Sequence, residues 1–265
     1  MKYLINLSLL SLVAVFLAIT NVSSDNLSII NCDVGQGDAT LVQFKNNQIL
    51  IDGGPDKSVL SCLGEYMPFW DRTIELVILT HPEKDHFGGL IDVFKNYNVS
   101  KFGTTNRESG SLEYKALISE VGGKGLDSII LDNRVNLRLG KIYLDILNPS
   151  KEITFKGSND DGVVILLKYD KFKALFTADV ENEVSDYLST NNKIRDANYI
   201  KVNHHGSKNG LSEKLLQATK PKIAVISVGA KNSYGHPHKE ILDLLEKYNV
   251  KILRTDQIGN IEIEN

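Results

Sequence analysis

The chain has 265 residues, of which 42% are hydrophobic and 24% are charged, so it can bury a substantial core. This composition argues against a disordered, collagen-like or coiled-coil protein. The formal net charge is −3, which argues against a protein that coats nucleic acid over its whole surface and leaves room for one basic face.

The first 24 residues differ from the rest of the chain. Residues 3–24 contain no charge, Lys2 precedes them, and Leu7–Ile19 is strongly apolar. This pattern predicts a secretory signal peptide over 1–24, followed by one domain over 25–265. Roughly 20 apolar residues are also enough for an uncleaved membrane anchor, and a buried N-terminal helix is a further alternative. We expect a secreted or otherwise extracytoplasmic protein, either released by cleavage or tethered to a membrane through residues 3–24.

Beyond Asp25, short apolar strands alternate with amphipathic helices. Strands are predicted over Leu27–Cys32, Ala39–Phe44, Gln48–Ile51, Ile74–Thr80, Ser128–Leu131, Asn136–Leu139, Ile142–Leu147, Val163–Tyr169, Lys173–Thr177, Tyr199–Val202, Ile223–Val228, Val250–Arg254 and Asn260–Glu264. Helices are predicted over His86–Tyr97, Ser111–Val121, Glu181–Ser189 and Pro237–Tyr248. Two consecutive mixed halves favour two sheets packed face to face with helices outside, an α/β fold of four αββα layers.

The two cysteines, Cys32 and Cys62, lie in different sequence surroundings and form no CxxC motif. A disulfide bond in an oxidising compartment and a pair of buried free thiols are both compatible with this spacing.

The segment THPEKDHFGG follows the apolar strand that ends at Thr80. The strand end supports a tight turn in which His81, Asp85 and His86 can converge. Imidazole nitrogen and carboxylate oxygen are the donors that zinc and manganese prefer. The alternative is a helix cap at Asp85 with solvated histidines.

Two further strand ends carry candidate ligands. His204-His205-Gly206-Ser207 follows the strand Tyr199–Val202, and Asp179 follows the strand that ends at Thr177. Alone, the histidine pair could be surface decoration and Asp179 a helix cap. However, four of the six histidines lie in just two strand-end turns, and this clustering indicates a metal site.

These motifs resemble those of the metallo-β-lactamase fold, and of the ComEC competence proteins in particular. THPEKDHFGG resembles the HxHxDH signature, while DVGQGDA, ILIDGG, TAD, KVNHHGS and NSYGHP occur in the ComEC order between Leu27 and Asn265. The resemblance implies a pair of divalent ions, zinc or manganese, held between the sheets. His81 and Glu83 would serve one ion, Asp85 and His86 the other, and Asp179 would bridge them.

The resemblance also implies that the HHGS turn supplies another imidazole, from His204 in preference to His205. Asp52 would lie behind the ligands and orient a histidine through a hydrogen bond. The chain departs from the general pattern at Glu83, where a histidine is usual, and at Ser158-Asn159-Asp160-Asp161, where another histidine is missing. Asn159 is therefore expected to support the ligands from behind. The first ion site, rich in oxygen donors, should bind more weakly than the second.

Other residues are candidates for catalysis and substrate binding. A metal pair can activate water without a serine or cysteine nucleophile, and Asp85 is the candidate acceptor of its proton. The NxYGHP-like element suggests phosphate contact by Asn232 and Tyr234 and protonation of the leaving group by His236, against a purely structural loop. Gln36, Asp38 and Ser207 are further candidate substrate contacts, whereas Asp33–Asp38 could equally be an ordinary hairpin turn.

The leading functional hypothesis is an exported nuclease or phosphodiesterase that acts on DNA in competence. Six lysines late in the chain could line a path for phosphates: Lys201, Lys208, Lys220, Lys222, Lys231 and Lys239. The alternatives are another exported hydrolase, such as an esterase of phosphorylated cell-wall polymers, and a non-catalytic DNA-binding module. No protein partner is predicted.

Overall fold

The computed structural model describes residues 26–157 and 159–265. The predicted signal peptide or anchor over 1–24, and Ser158 of the Ser158–Asp161 segment, therefore lie outside the described residues. None of the helices within the described ranges has the length and apolar character that a membrane crossing requires.

The strands of the described residues follow one another along both halves of the chain. They are β1 Leu27–Asn31, β2 Thr40–Phe44, β3 Asn47–Ile51, β4 Thr73–Ile74, β5 Leu76–Ile78, β6 Asn98–Val99, β7 Phe102–Thr104, β8 Ser128–Ile130, β9 Asn136–Leu139, β10 Ile142–Asn148, β11 Val164–Tyr169, β12 Phe172–Phe176, β13 Tyr199–Lys201, β14 Ile223–Ile226, β15 Lys251–Arg254 and β16 Ile261–Glu264.

Two seven-stranded sheets result from their pairing. The first has the order β16-β1-β2-β3-β5-β7-β8 and the second has the order β15-β14-β13-β12-β11-β10-β9, while β4 and β6 pair separately. Strands β3, β5, β7 and β8 run parallel in the first sheet, and β12 to β15 run parallel in the second. Parallel strands end at one edge of a sheet, so the loops that follow them meet there.

Helices cover the outer face of each sheet. They are α1 Val59–Tyr66, α2 Lys84–Phe87, α3 Leu90–Asn96, α4 Leu112–Gly123, α5 Asn182–Ser189, α6 Glu213–Thr219, α7 Lys239–Lys247 and α8 Thr255–Ile258, with 3₁₀ turns at Asn192–Ile194 and Asn203–Gly206.

The alternation of side chains along the strands divides the core into three apolar layers. On β3, Ile49 and Ile51 face the second sheet whereas Leu50 packs under the outer helices. The third layer joins the second sheet to its own helices, as with Leu175 of β12 and Leu188 of α5. Each fully buried aliphatic side chain contributes about 1.5–3 kcal/mol relative to exposure. This arrangement confirms the four αββα layers predicted from the sequence.

Two predicted elements are interrupted. The expected strand Ile74–Thr80 divides into β4 and β5, because Thr73–Ile74 pairs with β6 whereas Leu76–Ile78 pairs with β3. The expected helix His86–Tyr97 divides into α2 and α3, because the N–H of Gly89 donates to the carbonyl of Gly54 and leaves the helical ladder. Helices α1, α6 and α8 and strands β6 and β7 were not predicted.

Cys32 and Cys62 form a disulfide bond, with their Cα atoms 5.8 Å apart. The bond joins the end of β1 to the middle of α1. Of the two states that the sequence left open, the structure therefore contains the cross-link.

Candidate metal centre and cleft

The candidate ligands converge at the edge where the parallel strands end. Asp52 follows β3, His81 follows β5 and Asp179 follows β12, while the His204-His205 pair follows β13. The first sheet and the second sheet therefore each supply part of one site. This placement brings together residues that are up to 153 positions apart in the sequence, from Asp52 to His205.

Four side chains form a compact donor cluster that we call the donor quartet: Asp85, His86, Asp179 and His205. One ligand atom from each lies within 4.8 Å of the others. Asp179 Oδ2 lies 3.3 Å from His86 Nε2 and 3.3 Å from His205 Nε2, and Asp85 Oδ2 lies 3.4 Å from His205 Nε2. Two carboxylates and two imidazoles make up a donor set that zinc, manganese or iron can use.

Hydrogen bonds fix the orientation of the His86 ring. Its Nδ1 lies 2.9 Å from Asp52 Oδ2, and that carboxylate also accepts from the N–H of Thr80 at 2.8 Å and from its hydroxyl at 2.7 Å. Burial raises the pKa of Asp52, but these three donors favour its charged form. With Nδ1–H committed to Asp52, His86 directs Nε2 toward the other members of the quartet, where a metal ion would take the place of its proton.

His81 is oriented by the same hydroxyl group. Because Thr80 Oγ1 donates to Asp52, it accepts from His81 Nδ1 at 3.1 Å. Burial and the neighbouring His86 lower the pKa of His81 to about 3, so the ring is neutral at physiological pH. Its Nε2 is buried without a hydrogen-bond partner and carries a lone pair available to a cation.

His205 is supported from behind by Asp38 and by a carbonyl. Its Nδ1 lies 3.0 Å from the Ser227 carbonyl oxygen and 3.3 Å from Asp38 Oδ1. The other Asp38 oxygen forms a buried ion pair with Lys201. Burial opposes ionisation of Asp38, but Lys201 and His205 outweigh it and hold the pKa of this carboxyl group well below its ordinary value. The Ser227 carbonyl therefore orients the His205 ring, while Asp38 places a negative charge behind it.

The unsatisfied buried atoms test whether a metal fits. His81 Nε2, His86 Nε2, His205 Nε2 and Asp179 Oδ1 are all buried and lack a hydrogen-bond partner. A buried polar atom without a partner costs about 1–3 kcal/mol, and here several such atoms converge on one point. A divalent cation would satisfy them together, so the residues present fit a metal ion.

The charge balance in the quartet also favours a cation. Burial opposes a charged His86, but Asp179 and Asp52 outweigh it and raise the pKa of His86 well above its ordinary value. The pKa of His205 is raised in the same way, against burial, by Asp179 and Asp38. Carboxylates that hold protons on two buried imidazoles create a field that equally attracts a metal ion, which would displace those protons.

The donors around His81 are fewer and more exposed. Glu83 is 39% exposed in its side chain, and its Oε2 lies 4.0 Å from His81 Nε2. Asn159 is buried. The next residue, Asp160, accepts through its carboxylate from the N–H groups of Gly157 and Glu181. Asp160 thus caps a loop and the start of α5 rather than facing the quartet.

The structure places His205, not His204, in the donor quartet. His205 is buried, whereas the His204 side chain is 26% exposed and its Nε2 lies 3.9 Å from Asp179 Oδ2. Both histidines have left-handed backbone angles, with φ of 48° and 53°. Asp52 and Ala178 are left-handed as well. Such conformations cost about 1–3 kcal/mol each and cluster at functional sites.

An open cleft of about 360 Å³ leads from solvent to the donor quartet. Its lining combines ligand candidates with polar and aromatic side chains: Gln36, Pro55, Glu83, Lys84, Asp85, Asp179, His204, His205, Tyr234 and His236. Tyr234 is 66% exposed, and its ring stacks on His236 at 5.7 Å. Burial and the nearby imidazoles lower the pKa of His236 to about 4, so without substrate this residue is neutral at pH 7.

Three of the candidate substrate contacts have other roles in the structure. Asp38 is buried beneath His205, as described above. Asn232 binds the carbonyl groups of Gly229 and His236 and accepts from the N–H of His236, which closes its own loop. Ser207 is 7% exposed and accepts from the N–H of Asn209. Gln36 lines the cleft and also accepts from the N–H of Gly229.

The roles of two charged residues in and beside the site were not predicted from the sequence. Lys201, considered above as a phosphate contact, is 2% exposed and lies in the buried pair with Asp38. Arg107 lies beside the His81 side of the cleft, with Nη1 3.1 Å from Asp161 and Nη2 4.0 Å from Glu83. Arg107 occurs in no motif, so no sequence pattern indicated it. The burial of Lys201 could have been predicted, because the KVN tripeptide before the histidine pair places this residue on a buried strand.

Comparisons with known proteins agree with this architecture. The family model of the metallo-β-lactamase superfamily matches residues 32–230. ComE operon protein 3 of Bacillus subtilis is 27% identical over 248 residues, which cover 87% of this chain and 32% of that protein. Recombination protein 2 of Haemophilus influenzae is 29% identical over 236 residues, covering 87% of this chain and 28% of that protein. The chain thus spans about a third of the length of these relatives.

Solved structures support the fold alone. The metallo-β-lactamase fold protein YhfI from Bacillus subtilis superposes with a TM-score of 0.61 at 13% identity, over 90% of this chain and all of that chain. CmlA, a diiron β-hydroxylase from Streptomyces venezuelae, gives 0.60 at 13% identity, over 92% of this chain and 55% of that one. The superfamily consists generally of metal-dependent hydrolases. The chain belongs to the metallo-β-lactamase superfamily and is related to the competence proteins within it.

Proposed function

We propose that this protein is an extracytoplasmic, metal-dependent phosphodiesterase that cleaves DNA during competence. The observation that carries the proposal is the donor quartet of Asp85, His86, Asp179 and His205 at the floor of an open cleft. Divalent ions held there would supply an activated water molecule and neutralise charge on a phosphoryl oxygen. The names of two relatives, Competence protein ComA of Neisseria gonorrhoeae and Recombination protein 2 of Haemophilus influenzae, support DNA as the substrate class.

The remaining residues of the cleft have roles that suit a phosphodiester. Asp85 is the quartet member most open to the cleft, with a 32% exposed side chain, and is placed to accept a proton from water. Tyr234 offers an exposed ring on which a base can stack. His236 is neutral at pH 7, so it donates a proton to the leaving oxygen only after the substrate's negative charge has raised its pKa.

We propose two ions of unequal affinity. The quartet would hold the firmer ion, while His81, Glu83 and Asp179 would hold the weaker one. Arg107, through its contact with Glu83, competes with a cation on that side. Zinc or manganese suits the mixture of imidazole and carboxylate donors.

The extracytoplasmic location rests on two features. Residues 3–24 are uncharged and largely apolar, as expected of a signal peptide or anchor. The Cys32–Cys62 disulfide is typical of an oxidising compartment.

The test uses purified full-length chain with Mn²⁺ or Zn²⁺ and three substrates: single-stranded DNA, double-stranded DNA and a small phosphodiester. We expect DNA cleavage to fall at least 100-fold in His205→Ala, since removal of a ligand removes the ion. His238→Ala is the control, because His238 lies outside the donor quartet: its Nδ1 accepts from the N–H of Lys208 and its ring contacts that of His236 at 4.9 Å. DNA binding without turnover under every metal would contradict the enzyme proposal, and turnover of phosphorylated wall fragments alone would favour the esterase.

A further inference from the structure

The end of the molecule opposite the cleft carries an exposed aromatic pair. Phe69 is 78% and Trp70 is 50% exposed, and their rings meet edge to face at 4.8 Å. They occupy the tip of a turn closed by the N–H of Asp71 on the carbonyl of Pro68. Asp71 in turn accepts from Gln48 Nε2 at 3.1 Å, which places the turn beside the start of β3.

Lysines surround this end of both sheets. The parallel strands begin here, so the residues just before them share one edge. Exposed lysines occupy the strand-starting turns and strand starts: Lys45, Lys101, Lys141, Lys171, Lys222 and Lys251. Acidic side chains also lie there, at Asp71, Glu75, Asp127, Asp145, Asp170, Asp196 and Glu264, and Asp145 pairs with Lys168 and Lys193. With Lys168, Lys173, Lys193 and Arg195 the cationic groups still outnumber the acidic ones.

The chain enters the described domain at the same end. Leu27 pairs with Phe44 at the end of β2, next to the turn that contains Lys45, and Leu27 also exchanges backbone hydrogen bonds with Asn265. Residues 3–24, apolar in sequence, therefore lead directly to this basic and aromatic end. Strands of five residues separate it from the donor quartet by roughly 15–20 Å.

We propose that this end, which we call the basal surface, docks on an anionic lipid bilayer and so directs the cleft away from the membrane. The inference rests on the proposed tether through residues 3–24. Tryptophan and phenylalanine favour the interface between lipid and water, and lysines near an anionic leaflet are attracted to it. These groups lie where the apolar segment joins the domain. This position favours a membrane over other partners that could cover an aromatic pair.

Trp70 is the only tryptophan of the chain and therefore reports on the basal surface directly. Full-length chain is reconstituted with vesicles of phosphatidylglycerol and phosphatidylcholine that carry a quencher at the headgroup level. We expect the fluorescence of Trp70 to shift to the blue and to be quenched. High salt should reduce the quenching, because it screens the lysines.

Two sets of lysine variants test the electrostatic part. Replacing Lys101, Lys171 and Lys222 by Gln should lower the ratio of docked to undocked chain about 100-fold, at roughly 1 kcal/mol for each lysine. The matched control replaces Lys208, Lys231 and Lys239 by Gln, which are exposed lysines near the cleft, and should leave the quenching unchanged.

Several outcomes would overturn the proposal. Chain that binds vesicles while Trp70 stays unquenched is tethered without docking, and equal quenching in pure phosphatidylcholine removes the role of charge. Concentration-dependent shielding of Trp70 without vesicles would assign the surface to a second copy of the chain. Metal-dependent DNA cleavage, measured on the same samples, tests the proposed function independently of all these results.

Discussion

The buried ion pair between Asp38 and Lys201 gives the sharpest prediction. Asp38→Asn removes the charge that compensates Lys201, whose residue is 2% exposed. A buried charge that loses its partner destabilises a protein by about 3–5 kcal/mol. The same change removes the carboxylate that lies 3.3 Å from His205 Nδ1, and loss of such support weakens metal binding about 10–100-fold.

A double variant separates the two effects. In Asp38→Asn/Lys201→Met no buried charge is left alone, so we expect stability to return to within about 1 kcal/mol of the parent, while metal affinity stays reduced. Asp145→Asn is the control, because Asp145 is buried as well but pairs with the more exposed Lys168 at 3.0 Å. Its expected cost is about 1 kcal/mol or less, with no change in metal affinity.

Urea unfolding followed by circular dichroism measures the stabilities, and competition with a chelating dye measures metal affinity. If Asp38→Asn were as stable as the double variant, Lys201 would have found another partner or lost its proton, and the reasoning from the buried pair would be refuted. Unchanged metal affinity in both variants would refute the role of Asp38 behind His205.

Three further predictions concern the metal, a glycine and the disulfide bond. The raised pKa values of His86 and His205 stabilise the metal-free fold below pH 6.5, and this contribution is lost as pH rises through the raised values. Metal must displace those protons, so calorimetry should find tighter binding at higher pH, and ion at 100 times Kd should add about 2.7 kcal/mol; pH-independent binding would contradict this. Gly37→Ala should cost about 1–3 kcal/mol in urea unfolding, because its Cβ would lie 2.3 Å from the Asp85 carbonyl oxygen, whereas Gly64→Ala in open space on α1 should not destabilise. Reducing the disulfide bond should lower the free energy of unfolding by about 3 kcal/mol, and an unchanged thermal midpoint in reductant would argue against it.

Periodicity predicted most strands and the four layers because buried strands and amphipathic helices leave direct signatures in the sequence. The failures occurred where tertiary contacts decide the backbone. Gly89, for example, leaves the helical ladder for the carbonyl of Gly54, and no local pattern encodes that contact. Helix α1 has only eight residues of mixed polarity, which is too short a segment for the helical periodicity to be recognised.

The candidate ligands were identifiable because they follow apolar strands at turns. The order of preference within the histidine pair was not, since His204 and His205 are adjacent and both adopt left-handed angles. The direction of each ring depends on that backbone and on the Ser227 carbonyl, a contact between segments 22 residues apart. Asp38 and Lys201 were considered as separate surface groups, because their pairing exists only in three dimensions.

The donor quartet draws two side chains from each half of the chain, Asp85 and His86 before the β9–β10 hairpin and Asp179 and His205 after it. A bound cation would therefore link the two face-to-face sheets, since neither half of the chain carries a complete set of ligands alone. Cooperativity follows from this division. With the ion bound, the two halves must open together for the ion to be released, whereas without the ion the two halves can unfold one after the other.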